Sequence, residues 1–205
     1  EEMERRIEDL DGWIVAEIPL LFENGVPEWV DLTVYVEASE EDRVRRNAFR
    51  GWDREELHRR ERWLLESGSK KTRADLIISN DGTLDELEEK TRDLGSRFYF
   101  LSSLARVCFG SVTPVVSCRL FRELSRDERV IEVGIASREE CEVAGTDRDG
   151  PDLIVTAFVG SCDLEGIKAL AEKIGGVGIF VRSSQPEGRR FPKEVLLRAM
   201  KVDKC

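Results

Sequence analysis

Glu17-Ile18-Pro19-Leu20-Leu21-Phe22-Glu23 and, beyond an arginine-dense stretch, Ala74-Asp75-Leu76-Ile77-Ile78-Ser79-Asn80-Asp81-Gly82 are the two strings on which the fold turns. The first closes a short apolar run, Trp13-Ile14-Val15-Ala16-Glu17-Ile18, with a proline. Such a continuous run fits a buried strand of a parallel sheet better than a half-exposed antiparallel one. The second is a β-branched run that ends in a turn, Asn80-Asp81-Gly82, and is followed by Thr83-Leu84-Asp85-Glu86, a capping signature that opens a helix ending near Gly95. Between them, Asp31-Leu32-Thr33-Val34-Tyr35-Val36 reads as another strand. Ser39 ahead of Glu40, Glu41 and Asp42 supplies an N-cap with acids in the first helical turn. From Ser39 to Leu65 the pattern is helical and broken at Gly51-Trp52-Asp53, which predicts a helix pair. Residues 1–11 read as the tail of an amphipathic helix. The resulting order of helix, strand, helix pair, strand and helix belongs to an α/β layered sheet.

Downstream, Gly95-Ser96 marks a boundary, and the acid-rich helical pattern gives way to Arg97-Phe98-Tyr99-Phe100-Leu101, which reads as the start of a strand running on to about 109 with a break. A helix near 114–126 follows, then strands at 130–135 and 152–159, a helix at 164–173, a strand at 177–182 and a short helix after Pro192. The βαββαβ order is the split-βαβ, ferredoxin-like arrangement. Two domains are expected, 1–95 and 96–205, and a unit of roughly 60 to 100 residues can bury a core of its own.

Composition limits the function classes. The chain has 205 residues, 40% hydrophobic and 36% charged, which is the profile of a folded globular protein. A formal net charge of -10 argues against general nucleic-acid or anionic-membrane binding, since phosphate surfaces reward excess Lys and Arg. There is no bilayer-length apolar run, and the chain opens on Glu1-Glu2-Met3-Glu4-Arg5-Arg6, unlike a signal peptide, so a cytoplasmic location is expected. Five scattered cysteines (Cys108, Cys118, Cys141, Cys162, Cys205), with His58 as the single imidazole, predict free thiols and neither a zinc site nor a disulfide framework.

Taken together, the Pro-Leu-Leu-Phe-Glu string, the arginine-bearing helix pair and the Ala-Asp-Leu-Ile-Ile-Ser-Asn-Asp-Gly string resemble the C-terminal half of dephospho-coenzyme A kinases over residues 13 to about 94. The resemblance implies a partial P-loop-kinase-like parallel sheet with a helical lid, and ATP with magnesium as cofactors of the intact enzyme. It also implies phosphoryl transfer to the ribose 3'-hydroxyl of dephospho-CoA. On this resemblance Glu17, Pro19, Leu20, Leu21, Phe22 and Glu23 lie on the substrate side, Arg46, Arg50 and Arg60 on an ATP-phosphate lid, and Asn80 beside the adenine. Phosphoryl transfer relies on positioning and charge neutralisation, which arginine forks on a closing lid provide. Read from residues alone, Leu20, Leu21 and Phe22 are equally core candidates, and the arginines could form a surface helix laced with ion pairs to Glu40, Glu41, Glu55, Glu56 or Glu61.

Two departures from the family pattern stand out. Leu64 occupies the position where the family usually has a Gln. No G-x-x-x-x-G-K-[ST] loop occurs in these residues, so the phosphate loop and catalytic aspartate are expected upstream of residue 1, and the chain alone is expected to be inactive. Ser67-Gly68-Ser69-Lys70-Lys71-Thr72 lacks the second glycine and precedes a strand, so it is not such a loop. The second unit is similar in element order to CutA-type or ACT-type modules, without the Trp and His-Pro-Tyr-Glu features of CutA. The alternative function is therefore a non-catalytic oligomerisation or small-ligand-binding protein, a homo-oligomer built on this unit.

Overall fold

The computed structural model describes residues 2–8, 10, 13–110, 113–137, 153–182 and 191–201. The chain divides into two compact units, Glu1–Ser96 and Arg97–Cys205.

In the first unit, α1 (Glu2–Glu8) and the short α2 (Leu21–Asn24) precede β1 (Val34–Glu37), α3 (Glu40–Asn47), a 3-10 turn (Ala48–Arg50), α4 (Arg54–Glu61), α5 (Ser67–Arg73), β2 (Leu76–Ser79) and α6 (Leu84–Ser102). Strands β1 and β2 pair in parallel, with Val34 opposite Leu76 and Glu37 opposite Ser79. The helix pair forms as the sequence predicts: Ser39 Oγ accepts from the Asp42 amide at 3.2 Å to cap α3, and Gly51 takes φ +74°, a left-handed turn that suits glycine. Asp53 in turn caps α4 through the Glu56 amide at 2.8 Å.

Two expectations are corrected. Residues 13–18 form no strand, and Val15 is 94% exposed; the parallel sheet of this unit contains β1 and β2 and offers the run no pairing partner among the described residues. Arg97–Leu101 is helical, the last turns of α6, which runs through Gly95 and Ser96. A short apolar run of this length does not by itself separate strand from helix. Tyr99 at 80% exposure and Leu101 at 1% show the one-sided burial that a helix gives it. Ser67-Gly68-Ser69 forms the first turn of α5.

The second unit runs β3 (Leu104–Gly110), α7 (Pro114–Leu124), β4 (Val130–Ser137), β5 (Leu153–Gly160), α8 (Leu164–Ile174), β6 (Val177–Arg182) and α9 (Lys193–Ala199). Its strands form an antiparallel sheet in the order β4-β5-β3-β6. Alternation sorts the faces: Ala105, Val107, Phe109, Val155, Ala157 and Val159 pack with Leu120 and Leu124 of α7 and Ile167 and Ala171 of α8 into one core. Helix α7 starts as the sequence dictates, with Pro114 in its first turn and the Thr113 hydroxyl accepting from the Val116 amide at 3.3 Å. On the other face, α9 packs against β4. Cys141 and Cys205 lie outside the described residues.

Candidate functional site

A cleft of about 250 Å³ opens in the first unit, lined by Glu37, Ala38, Ser39, Arg43, Ser67, Lys71 and Asp81. Glu37 is the last residue of β1 and Asp81 follows the end of β2, so the cleft lies beyond the carboxyl ends of two parallel strands, where open α/β sheets gather ligand groups. Its polar groups are held in a network. Asp81 accepts from the Ser39 amide at 2.5 Å and from the Ser79 hydroxyl at 2.8 Å, joining the two strand ends. These two bonds, the Ser79 hydroxyl foremost, hold the Asp81 carboxyl below its ordinary range. Lys71 pairs with Glu37, which raises the ammonium above its usual value. Arg43 donates to the Ala38 carbonyl at 2.9 Å and reaches Glu61 at 3.0 Å, tying α3 to the end of α4.

The arginines expected on a lid take two positions. Arg46 donates to the Asn80 carbonyl at 2.8 Å, so these two expected site residues are brought together. Arg50 and Arg60 converge on Trp52, with guanidinium carbons 5.4 and 4.2 Å from the ring centroid. Arg60 also meets Glu56 at 2.7 Å, and Arg59 pairs with the same carboxylate, so part of the alternative ion-pair reading holds for these helices.

Along the Pro-Leu-Leu-Phe-Glu string the side chains diverge. Glu17, Pro19 and Leu20 are exposed. Leu20 has φ +57°, the one non-glycine residue with positive φ among the described residues, a conformation that costs roughly 1–2 kcal/mol in an L-residue. Leu21 is half-buried and Phe22 is buried edge-on against Tyr35, with centroids 6.4 Å apart. Glu23 is drawn inward: its Oε1 accepts from Lys70 Nζ at 2.7 Å and from the Leu65 amide at 3.0 Å. The Lys70 bond is the main reason its carboxyl titrates below the usual value. Leu64, at the position that departs from the family, is exposed.

None of the residues expected to hold ligand lines the cleft itself; Ser39, Arg43, Lys71 and Asp81 do. Sequence reading passed over them because each looked like a cap, a helix-surface charge or a turn residue. Their position immediately after strand ends was the available signal. Among the described residues no group of three or more His, Cys, Asp or Glu side chains converges.

Two parallel strands, each delivering its chain into the rim of a polar cleft beside arginine-bearing helices, define an α/β domain with a polar cleft at the strand ends. Residues 1–86 match the family model of dephospho-CoA kinase, a match in the N-terminal part of this chain that starts and stops earlier than the expected 13–94. Over 79 residues the chain is 39% identical to the dephospho-CoA kinase of Deinococcus radiodurans, covering 38% of each protein. Over 76 residues it is 42% identical to that of Thermus thermophilus, covering 37% of each. An uncharacterised protein of Caenorhabditis elegans is 32% identical over 113 residues, 54% of this chain and 48% of that protein. The chain thus spans about half or less of the length of these curated relatives. No solved structure matches it. Among the described residues, no helix is long and apolar enough to cross a membrane.

Proposed function

We propose that the first unit is the C-terminal, lid-bearing half of a dephospho-CoA kinase, working in the cytoplasm in the last step of coenzyme A synthesis. The observation that carries the reading is the cleft beyond the ends of β1 and β2, lined by Ser39 and Arg43 at the start of α3, the helix that also bears Arg46. In this reading ATP donates its γ-phosphoryl group to the 3'-hydroxyl of dephospho-CoA. Arg46, Arg50 and Arg60 supply guanidinium donors to the phosphate oxygens as charge shifts between them. Trp52 keeps two of these forks parked when no phosphate is present, and Asn80, whose own carbonyl Arg46 holds, sits at the adenine side. The 17–23 segment borders the sugar side, with Glu23 acting through the Lys70 and Leu65 bonds that set the loop's course.

Residues 1–205 contain no phosphate loop, so on this reading they release no ADP from ATP and dephospho-CoA by themselves. On this reading the whole protein does, with a strand followed by a loop ending in Gly-Lys-Ser or Gly-Lys-Thr as its phosphate cradle. Arg46→Ala or Arg60→Ala in that whole protein lowers kcat/KM for ATP by about 10- to 100-fold, the size expected for losing a charge-assisted phosphate contact. Absence of dephospho-CoA-dependent ADP release by the whole protein, or turnover by residues 1–205 alone, sinks the reading.

For the second unit we propose a ferredoxin-like domain serving assembly or small-ligand binding. Its βαββαβ order and the sheet order β4-β5-β3-β6 support that reading. Association through the β4 or β6 edge would appear in light scattering as a dimer or larger species, and a monomer at high concentration would remove the assembly role.

A further inference from the structure

The turn from Leu20 to Glu23 holds a conformation that its own sequence opposes. Leu20 takes φ +57° and ψ +33°, the left-handed region, where glycine or asparagine sits at lower cost. It is also the N-cap of α2, and leucine has no side-chain acceptor to offer there. A helix of four residues, α2 does not persist through its own hydrogen bonds. Burial does not account for the residue either, because Leu20 is 47% exposed.

What holds the turn comes from α5 and the chain just ahead of it. Lys70 Nζ meets Glu23 Oε1 at 2.7 Å, with 16% and 17% of the two side chains exposed, so this pair is largely sheltered from water. The Leu65 amide donates to the same oxygen at 3.0 Å, and Arg73 donates to the Phe22 carbonyl at 3.1 Å. Helix α5 is itself fixed by separate contacts, Ser67 with the Tyr35 hydroxyl at 3.0 Å and Lys71 with Glu37 at the end of β1. The helix thus reaches from the lining of the cleft to the turn, and contacts of its own hold it when a tie to the turn is cut. Backbone strain of this kind persists where the surroundings over-determine it, and such positions concentrate at ligand clamps and active sites.

We propose that Lys70 and Arg73 are positioning residues for the phosphoryl acceptor: from α5 they clamp the 20–23 turn, so that Leu20 stands as an apolar contact for the bound acceptor. The proposal rests on the kinase reading of the first unit, in which residues 17–23 border dephospho-CoA, and adds to it the helix that sets their course.

The test is steady-state kinetics of the whole protein, with dephospho-CoA and ATP varied in turn. Lys70→Met keeps the stem and removes the charge; it raises KM for dephospho-CoA at least about fivefold, while kcat and KM for ATP stay within about twofold. Leu20→Gly makes the left-handed backbone accessible without strain. In that background Lys70→Met raises KM for dephospho-CoA by less than about twofold, because the clamp has no strain left to hold. An ion pair that serves folding alone acts equally in both backgrounds. Arg73→Met, which cuts the tie to the Phe22 carbonyl, follows the same pattern and decides the matter if Lys70→Met does not fold. An unchanged KM for dephospho-CoA in the folded variant, or a rise of the same size in both backgrounds, overturns the proposal and leaves the kinase reading standing. A wild-type whole protein that releases no ADP in response to dephospho-CoA overturns both together.

Discussion

Glu23 was legible as a charged residue closing a distinctive string, but not as the partner of Lys70, since nothing in the spacing brings a loop acid to a lysine on another helix. The bond at 2.7 Å and the Leu65 amide at 3.0 Å favour the carboxylate, which lowers its folded-state pKa below the ordinary carboxylate range. The sign follows: a depressed folded pKa contributes stability that is present above the unfolded value and disappears as pH falls through the folded one. Glu23→Gln is therefore expected to destabilise the first unit by about 1 kcal/mol at neutral pH, the size of a partly screened charged hydrogen bond. That deficit shrinks as the pH is lowered below the ordinary carboxylate range. Urea denaturation of wild type and variant at several pH values checks it, and a difference independent of pH would mean that packing, not charge, is what Glu23 contributes. The same residue-scale blindness explains why Asp81 was read as a turn former. Its bonds to the Ser39 amide and the Ser79 hydroxyl exist only once β1 and β2 lie side by side.

Elements with local signatures were read correctly, and those decided by tertiary contacts were not. Ser39 ahead of three acids names the start of α3, and Ser39→Ala is expected to cost about 1 kcal/mol through the uncapped Asp42 amide. Ser39→Asp should restore most of it. Helix α5 is the opposite case. Ser67-Gly68-Ser69 has poor helix propensity, yet the segment is helical because its side chains are anchored elsewhere. Ser67 meets the Tyr35 hydroxyl at 3.0 Å, Lys70 meets Glu23, Lys71 meets Glu37, and Arg73 donates to the Phe22 carbonyl at 3.1 Å. Gly68 has open space where a Cβ would go and an ordinary helical backbone. Gly68→Ala is thus expected to stabilise the first unit by roughly 0.5–1 kcal/mol, by restricting the unfolded chain. A rise in the thermal midpoint checks this, and a fall would show that the α5 backbone is not helical at that position. The apolar run at 13–18 failed for a related reason, since a strand is defined by its neighbours and β1 and β2 provide none for it among the described residues.

At the scale of the whole chain, the two units differ in what holds them. The first relies on polar ties between strand ends and helices, with Phe22 and Leu57 its buried apolar anchors ahead of α6. The second encloses Val107, Leu120, Leu124, Val159, Ile167 and Ala171 at 0% exposure between its sheet and α7 and α8. Strand alternation and the helical period made that second core legible, because both faces of the contact are written in local pattern. A core substitution there should act on one unit only. Leu120→Ala removes a side chain with no exposed surface, and such truncations cost about 2–5 kcal/mol, a large share of the roughly 5–15 kcal/mol that stabilises a typical domain. Amide hydrogen exchange should then quicken along β3, β5, α7 and α8, while protection in β1, β2 and α3 stays at the wild-type level. If exchange instead rises in both units by the same factor, they unfold as one cooperative body, and the polar ties of the first unit draw their persistence from the core of the second.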